Sequence, residues 1–264
     1  MDTTLLRQKL GAFALHLAAS LALVGVFFLL VFYGWYPDPL FKLEGTWWVV
    51  GLLLGIDVVL GPLLTGVVYR PGKKSLLFDL SVIVLLQAGA FLYGASLIVS
   101  ERPLYIAFAI DRFVVIPAAM VDEDAPMRHP ELKNRLGLGP KWVYVEPPSD
   151  RTERTKLLAQ VMGGGKDMEY LPRYYRPYGA PYVPMMQRRS LTPKRVVKVI
   201  PSAKPLLDEA LKRAGVTAQQ VMLFPLKGKQ HNMLVMVRRG DARLLEILDI
   251  NLWGVPKPKS PDQS

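Results

Sequence analysis

Apolar residues are concentrated in three long runs within the first hundred positions, whereas apolar and polar residues alternate at short intervals further along the chain. The three runs cover approximately residues 12–35, 47–69 and 78–99. A helix needs about 20 consecutive apolar residues to cross a hydrocarbon core of roughly 30 Å, and each run meets that length. The pattern therefore predicts a membrane domain of three transmembrane helices in residues 1–100 and a second domain in residues 101–264.

The first run is longer than the apolar core of a secretory signal peptide, which has about 7–15 residues. It ends in a group of aromatic residues that includes Tyr33, Trp35 and Tyr36. Aromatic side chains of this kind anchor a helix at the surface of a membrane. We therefore predict that the first run is retained as a membrane helix.

Basic residues beside the runs indicate which side of the membrane each end faces. Arg7 and Lys9 precede the first run, and Lys73 and Lys74 lie between the second and third runs. The loop at 37–46 has one lysine and two acidic residues. Because lysine and arginine are enriched in short cytoplasmic loops, the N-terminus and the second loop are predicted to be cytoplasmic. The C-terminal domain is then periplasmic, in a multi-pass protein of a bacterial inner membrane.

The predicted periplasmic domain is basic: residues 101–264 contain 27 lysines and arginines and 17 acidic residues, in a chain of net charge +11. Outside the cytoplasm such a surface meets no nucleic acid, so the expected partners are anionic membrane lipids or an acidic protein surface. The chain has no cysteine. Disulfides and cysteine-based zinc sites are therefore excluded.

Two polar side chains interrupt the apolar runs at a similar predicted depth. Asp57 lies in the second run and Gln87 in the third, which crosses the membrane in the opposite direction. An ionisable group inside a membrane is costly and marks either a functional site or a paired structural residue. One interpretation is a neutral Asp57 that is hydrogen-bonded to Gln87 or to a backbone carbonyl. The other is a proton relay or a ligand site.

Small residues in the second run form an intramembrane packing motif. Gly51 and Gly55 are four positions apart, so they share a helix face on which another helix can approach closely. That face contacts either a helix of another protein or the other helices of the same unit. Further along, Pro62 follows Gly61. A proline lacks the backbone donor of a regular helix, which predicts a kink there.

The second domain is predicted to be α+β with an antiparallel sheet. Helical spacing predicts a helix at 151–162, and Ser202 and Gly215 are suited to begin and end a second one. Short apolar runs between turn residues predict the strands. These runs cover residues 104–110, 113–116, 221–226, 232–237 and 244–250.

Tyrosine, arginine and proline are unusually frequent in residues 169–193. Interleaved arginine and tyrosine are suited to recognition of a partner surface. The alternative is a proline-rich loop whose tyrosines cover the domain. The candidate partner-binding residues are Arg173, Tyr174, Tyr175, Arg176, Arg188 and Arg189.

No set of residues in the sequence fits a catalytic motif. Gly165 and Lys166 resemble the end of a phosphate-binding loop, but Asp167 stands where that loop needs serine or threonine. The three histidines share no metal-ligand spacing. We therefore predict no catalytic residues, no cofactor and no metal site, and a protein that is not an enzyme.

Six short stretches form a set that is specific enough to suggest a family. They are WYPDPLF at 35–41, GIDVVLGPLLT at 55–65, PGKKSL at 71–76, FDLS at 78–81, ERP at 101–103 and DRF at 111–113. The set resembles the TfpX/TfpZ type IV pilin accessory proteins, which include the fimbrial assembly protein FimB. Asp57, Gly61, Pro62 and Asp79 correspond to positions in these motifs, and Lys73 and Lys74 lie in the same cytoplasmic-loop motif as Asp79.

The resemblance implies an inner-membrane helper of type IV pilus assembly, with the major pilin and the assembly machinery as partners and no catalytic site. Such a helper needs one surface inside the membrane and one outside it. The glycine face and the segment rich in arginine and tyrosine are the candidates. Two other functions stay open: a membrane enzyme that modifies pilin or another envelope substrate, and a sensor of an external ligand.

Overall fold

The computed structural model describes residues 3–121, 126–134 and 137–253. Its internal contacts divide the chain into two compact units, of which the first ends at Arg102 and the second begins at Pro103.

Three helices of the first unit are long and apolar enough to cross a membrane. They are span 1 (Thr3–Trp35), span 2 (Trp47–Val68) and span 3 (Leu76–Glu101). This confirms the three predicted helices, although spans 1 and 3 extend beyond the apolar runs because polar residues at their ends continue the helix. Each span exposes most of its apolar side chains at the surface of the unit, as a helix in contact with lipid does.

Regular α-helix changes to wider π-helix at two places in the spans. Span 1 is α-helical from Thr3 to Leu29 and π-helical at its end. Span 2 is π-helical in its middle and α-helical on either side. The segments in chain order are α1 (Thr3–Leu29), π-helix (Leu30–Trp35), α2 (Leu40–Glu44), α3 (Trp47–Leu53), π-helix (Leu54–Leu60), α4 (Gly61–Val68) and α5 (Leu76–Glu101).

The loop between spans 1 and 2 is folded onto the ends of the helices by aromatic contacts. Phe41 in α2 stacks on Phe32 at 4.3 Å between ring centroids and meets Trp47 edge-on at 4.5 Å. The hydroxyl of buried Tyr36 donates a hydrogen bond to the Ile98 carbonyl oxygen at 3.2 Å. These contacts tie the end of span 1, the start of span 2 and the end of span 3 together, so the polar groups inside the unit lie in a fixed frame.

The second unit is built on one seven-stranded sheet in the order β4-β3-β1-β2-β5-β6-β7. The prediction of a purely antiparallel sheet is wrong, because β1 pairs parallel with β3 and β2 pairs parallel with β5. Both parallel pairs follow long crossover segments, which parallel strands require. The strands are β1 (Pro103–Ala109), β2 (Arg112–Pro117), β3 (Lys141–Val145), β4 (Tyr175–Pro177), β5 (Val221–Lys227), β6 (Asn232–Arg238) and β7 (Leu244–Leu248).

Within the described residues, four α-helices accompany the sheet: α6 (Arg151–Met162), α7 (Val183–Arg189), α8 (Pro193–Val199) and α9 (Lys204–Ala214). The helix predicted at 151–162 is confirmed as α6. Ser202 is not the cap of α9, because it lies in a 3-10 turn that leads into the helix. Gly215 ends α9 as predicted, with the left-handed backbone that glycine adopts readily (φ 63°).

Alternating side chains place apolar residues on both faces of the sheet. On one face, Leu157 of α6 packs with the β1 to β4 half, and Leu207 of α9 packs with the β5 to β7 half. On the other face an aromatic cluster fills the centre, where the Phe108 and Phe224 rings meet at 5.0 Å. Tyr182, just before α7, covers that cluster by stacking on Tyr144 at 3.8 Å. Both faces are therefore covered, which is typical of a sheet that contains parallel strands.

Candidate functional site

Asp57 lies in the π-helical middle of span 2 and is 3% exposed. The irregularity precedes Pro62, whose ring would collide with the carbonyl group four residues earlier in a regular helix and which has no N–H to donate to it. The wider π-helical turns of Leu54–Leu60 take up this mismatch without breaking the helix. A kink was predicted at Pro62, and the structure has a change of helix type just before this residue. Such π-helical turns are frequent at functional sites.

Gln87 of span 3 reaches Asp57 across the helix interface, as predicted. Its side-chain Nε2 donates a hydrogen bond to the backbone oxygen of Asp57 at 3.2 Å. Within the part of the chain that the structure describes, Oδ2 of Asp57 and Oε1 of Gln87 have no hydrogen-bond partner, although both atoms are buried. The predicted neutral pair is therefore incomplete, because two acceptor atoms are left unsatisfied inside the unit.

The glycine at position 61 makes this arrangement possible. A β-carbon at Gly61 would overlap the side-chain amide of Gln87. Gly94 has a comparable role between spans 2 and 3, since its β-carbon would come within 2.6 Å of Leu53 Cδ2. Both glycines are buried in the unit, so close helix approach in this protein depends on Gly61 and Gly94.

Span 1 contributes two polar contacts to span 2 that the sequence analysis did not predict. Nδ1 of His16 and Oγ1 of Thr65 form a hydrogen bond of 2.6 Å, and Nζ of Lys9 donates to the Val67 carbonyl oxygen at 2.8 Å. The signal was present in the sequence, because spans 1 and 2 are antiparallel and these residues lie at matching depths. The Lys9 ammonium also neutralises carbonyl groups at the end of α4.

A groove of about 860 Å³ opens between spans 1 and 3, with span 2 as its floor. It is lined mostly by apolar side chains of spans 1 and 3, and its polar residues include Gln8, His16, Ser20, Asp57, Thr65 and Gln87. Spans 1 and 3 meet at one end of the groove, where the Phe27 and Phe91 rings are 5.2 Å apart in an edge-to-face contact. The unpaired oxygens of Asp57 and Gln87 thus form a small acceptor patch in a largely apolar groove.

Gly51 and Gly55 lie outside this groove. A β-carbon added to either residue would have no heavy atom of the described chain within 4 Å, apart from the local helix backbone. Packing inside the three-helix unit, the alternative considered for this pair, is therefore not what the structure shows. The glycine face is open at the surface of span 2, beside exposed Leu52 and Trp48.

The motif predicted to lie in a cytoplasmic loop has a local structural role at the start of span 3. Nζ of Lys73 pairs with Oδ2 of Asp79 at 2.5 Å, and the Ser75 hydroxyl donates to the same carboxylate at 3.2 Å. Asp79 lies in the first turn of α5, where a negative charge stabilises the positive end of the helix. Lys74 is exposed beside this pair.

Half of the predicted partner-binding segment belongs to the interior of the second unit. Tyr174 is 2% exposed and Tyr175 is fully buried. Arg176 is also buried and pairs with Oε2 of Glu146 at 2.7 Å. Tyr174 and Tyr175 are therefore core residues beside or within β4, which is neither an exposed recognition surface nor a loop that covers the domain. Arg173 lies against the Tyr174 ring with 4.9 Å between guanidinium carbon and ring centroid.

Burial dominates the electrostatics of these tyrosines. It raises the pKa of Tyr175 well above the ordinary value of a phenol, and the Tyr175 hydroxyl donates to the Glu169 carbonyl oxygen at 2.6 Å. Burial likewise raises the pKa of Tyr178, whose hydroxyl donates to the Ala242 carbonyl oxygen at 2.8 Å. These phenols act as neutral structural donors.

The remaining candidate residues, Arg188 and Arg189, are exposed in the last turn of α7. They lie close in sequence to Lys194, Arg195 and Lys198 of α8, which are also basic. A surface contact by this segment would therefore be carried by the arginines of α7.

The geometry offers hydrogen-bond acceptors inside the first unit and cations on the second. Among the described residues no three histidine, cysteine, aspartate or glutamate side chains are grouped closely enough to hold a metal ion. The His16 ring and the hydroxyl groups of Ser20 and Thr65 line the same groove as Asp57 and Gln87.

Comparisons with known proteins agree with this architecture. A family model described as fimbrial assembly protein FimB matches residues 4–45, which cover span 1 and the loop helix α2. No solved structure matches. Among curated proteins of Dichelobacter nodosus, the fimbrial assembly protein of serogroup I is 26% identical over 242 residues, covering 90% of this chain and 94% of the relative.

A second relative, of serogroup E1, is 27% identical over 248 residues, which are 91% of this chain and 89% of the relative. The fimbrial assembly protein of serogroups C1 and C2 is 36% identical over 104 residues, which are 39% of this chain and 79% of that shorter relative. The matches to the serogroup I and serogroup E1 relatives extend through both units of the fold. The chain therefore belongs to the family of FimB-like fimbrial assembly proteins.

Proposed function

We propose that this protein is an inner-membrane accessory protein that promotes type IV pilus assembly by contacting the pilin subunit in the membrane and in the periplasm. Its three span-length helices would hold it beside membrane-embedded subunits before they enter the pilus. The basic second unit would lie outside the cytoplasm and contact the subunit there or the anionic lipid surface around it.

The observation that carries the proposal is the similarity to fimbrial assembly proteins over 90% of the chain, through both the membrane helices and the mixed-sheet unit. A relationship of that extent supports a role that uses both units. Two structural features agree with a docking role: the open glycine face on span 2 and the exposed arginines of α7.

The test is piliation and pilin copurification in a strain that lacks the gene and is complemented with variants. Gly51→Leu with Gly55→Leu fills the open glycine face and is expected to reduce both. The matched control is Gly25→Leu with Gly89→Leu, because these glycines also have no heavy atom of the described chain within 4 Å of an added β-carbon. Unchanged piliation in the deletion strain would contradict the proposed function.

We also propose that the protein acts without catalysis. No observation favours the alternative of a membrane enzyme that modifies pilin, and mass spectrometry separates the two. Intact pilin from wild-type and deletion strains is expected to have the same mass. Loss of a covalent group from pilin in the deletion strain would overturn the non-enzymatic proposal and leave the role in assembly standing.

A further inference from the structure

We propose that the groove between spans 1 and 3 seats a single apolar transmembrane helix of the assembly client, and that this helix donates a hydrogen bond to the acceptor patch of Asp57 and Gln87. The inference rests on the proposed function and assigns it a site. The occupant is a helix with one donor group, such as an amine, hydroxyl or amide, placed within its apolar face.

The dimensions of the groove suit a helix. Its lining runs from Gln8 to Leu23 on span 1 and from Leu80 to Leu92 on span 3. At about 1.5 Å per residue these stretches are about 22 Å and about 18 Å long. A helix of about 10 Å diameter displaces roughly 1,600 Å³ over 20 Å. The groove volume of about 860 Å³ therefore holds about half of such a helix, which is one face.

The unpaired acceptor atoms of Asp57 and Gln87 distinguish between a lipid chain and a membrane helix as the occupant of the groove. A carboxylate oxygen of Asp57 and the amide oxygen of Gln87 are both buried without a partner in the described chain. Buried acceptors are normally hydrogen-bonded, and the described chain leaves these two atoms without a donor. A lipid acyl chain would fill the apolar lining but offers no donor. A membrane helix supplies both the apolar face and the donor, and its polar group is itself stabilised by pairing inside the membrane.

The glycine face of span 2 is a separate surface, because neither Gly51 nor Gly55 lines the groove. The two sites therefore make different predictions. Filling the glycine face leaves the groove intact, and filling the groove leaves the glycine face intact. The matched pair for the groove is Ala19→Trp, which points a bulky ring into the lining, and Ala18→Trp, which changes the neighbouring exposed alanine outside the lining.

The experiment is photo-crosslinking of the full chain in living, piliated cells. p-Benzoylphenylalanine is placed at groove positions Leu15 and Leu92, or at Leu21 and Tyr93, which are exposed on the same helices outside the groove. The adducts are identified by peptide mass spectrometry. We expect crosslinks from the groove positions to an apolar helical segment of pilin that contains a donor residue, and at least about tenfold fewer from the control positions.

Asp57→Asn keeps the shape of the side chain and replaces one acceptor oxygen by an amide donor. It is expected to lower the groove crosslink by up to about tenfold, as loss of one hydrogen bond does. Ala19→Trp is expected to abolish the crosslink, with Ala18→Trp unchanged. Because Asp57→Asn could also unfold the unit, the Ala19→Trp pair tests the groove without altering any polar contact.

Crosslinks to lipid alone, to a second copy of this chain, or equally from groove and control positions would overturn the groove assignment. If piliation is lost in the deletion strain while the groove positions give no pilin adduct, the groove fails and the proposed function stands. If deletion leaves piliation intact, the proposed function fails whatever the groove binds.

Discussion

Gly61 lies directly against the side-chain amide of Gln87, and the space between spans 2 and 3 admits no β-carbon at position 61. The same amide donates to the backbone oxygen of Asp57. Gly61 thus sets the position of Gln87. Gln87 in turn contacts Asp57, the residue of the second apolar run whose burial is most costly. The motif in which glycine and proline follow Asp57 has a physical basis in this contact.

Gly61→Ala is expected to push the Gln87 amide away and to break its hydrogen bond to Asp57, lowering the free energy of unfolding by about 1 kcal/mol or slightly more. Replacing Gln87 by alanine should remove that penalty, because the obstructing group is gone. Unfolding of the purified chain in detergent measures the cycle of single and double variants. If Gly61→Ala costs the same with and without Gln87, the contact does not hold the glutamine as described.

Arg176 is expected to stabilise the second unit rather than to bind a partner. Arg176→Ala removes a buried guanidinium paired with Glu146, whose side chain is 42% exposed, so solvent weakens the pair and the expected cost is about 1–2 kcal/mol. Exposed Arg188→Ala and Arg189→Ala should each change stability by less than about 0.5 kcal/mol. Denaturant unfolding of the full chain followed by tyrosine fluorescence gives these values. If Arg188→Ala or Arg189→Ala lowered the free energy of unfolding more than Arg176→Ala does, the structural role assigned to Arg176 would be contradicted.

Stability of the second unit is expected to fall at alkaline pH. Burial raises the pKa of Tyr178 in the folded state above that of the unfolded chain, which is about 10. The stabilisation is therefore fully present below about pH 10 and lost as the pH rises above it. Tyr178→Phe should cost about 1 kcal/mol near neutrality, through loss of the bond to Ala242, and should show a shallower alkaline decline. Parallel alkaline declines of both proteins would contradict the assignment.

The turn between β1 and β2 contains a residue in an unusual backbone conformation. Ile110 has a positive φ of 60° and an exposed side chain. A β-branched residue is strained in this conformation by roughly 1–2 kcal/mol, whereas glycine is not. Ile110→Gly is therefore expected to raise the unfolding free energy by up to about 1 kcal/mol, after the entropy of the more flexible unfolded chain is subtracted. A clear loss of stability would show that the isoleucine side chain makes a necessary contact.

The pattern of apolar residues predicted the three long helices and five of the seven strands because those elements are specified locally. The parallel pairing of β1 with β3 was missed, since it depends on a crossover that no local pattern encodes. β4 was missed because it is three residues long and ends at Pro177. Such a strand is stabilised by tertiary contacts and has little propensity of its own.

The candidate site, like the fold, could be predicted only in part from the sequence. Depth along antiparallel helices was sufficient to bring Gln87 to Asp57, but it could not show that two acceptors stay unpaired, because that depends on side-chain orientation. Composition left two interpretations of Tyr174 and Tyr175 open: recognition of a partner surface, or a loop whose tyrosines cover the domain. The fold buries both, since β4 joins the sheet and places them in its core. Exposure is a property of packing, and residue type does not determine it.

The proposed function depends most on the side of the membrane on which each unit lies. The natural chain has no cysteine, so a single introduced cysteine reports its own location without background. Met162→Cys replaces a side chain of the second unit that is 88% exposed, and Lys74→Cys replaces an exposed residue between spans 2 and 3. A maleimide that cannot cross the inner membrane is added to cells with a permeabilised outer membrane. Labelling of Met162→Cys in these cells, and of Lys74→Cys only after lysis, is the predicted result; the reverse pattern would contradict the account.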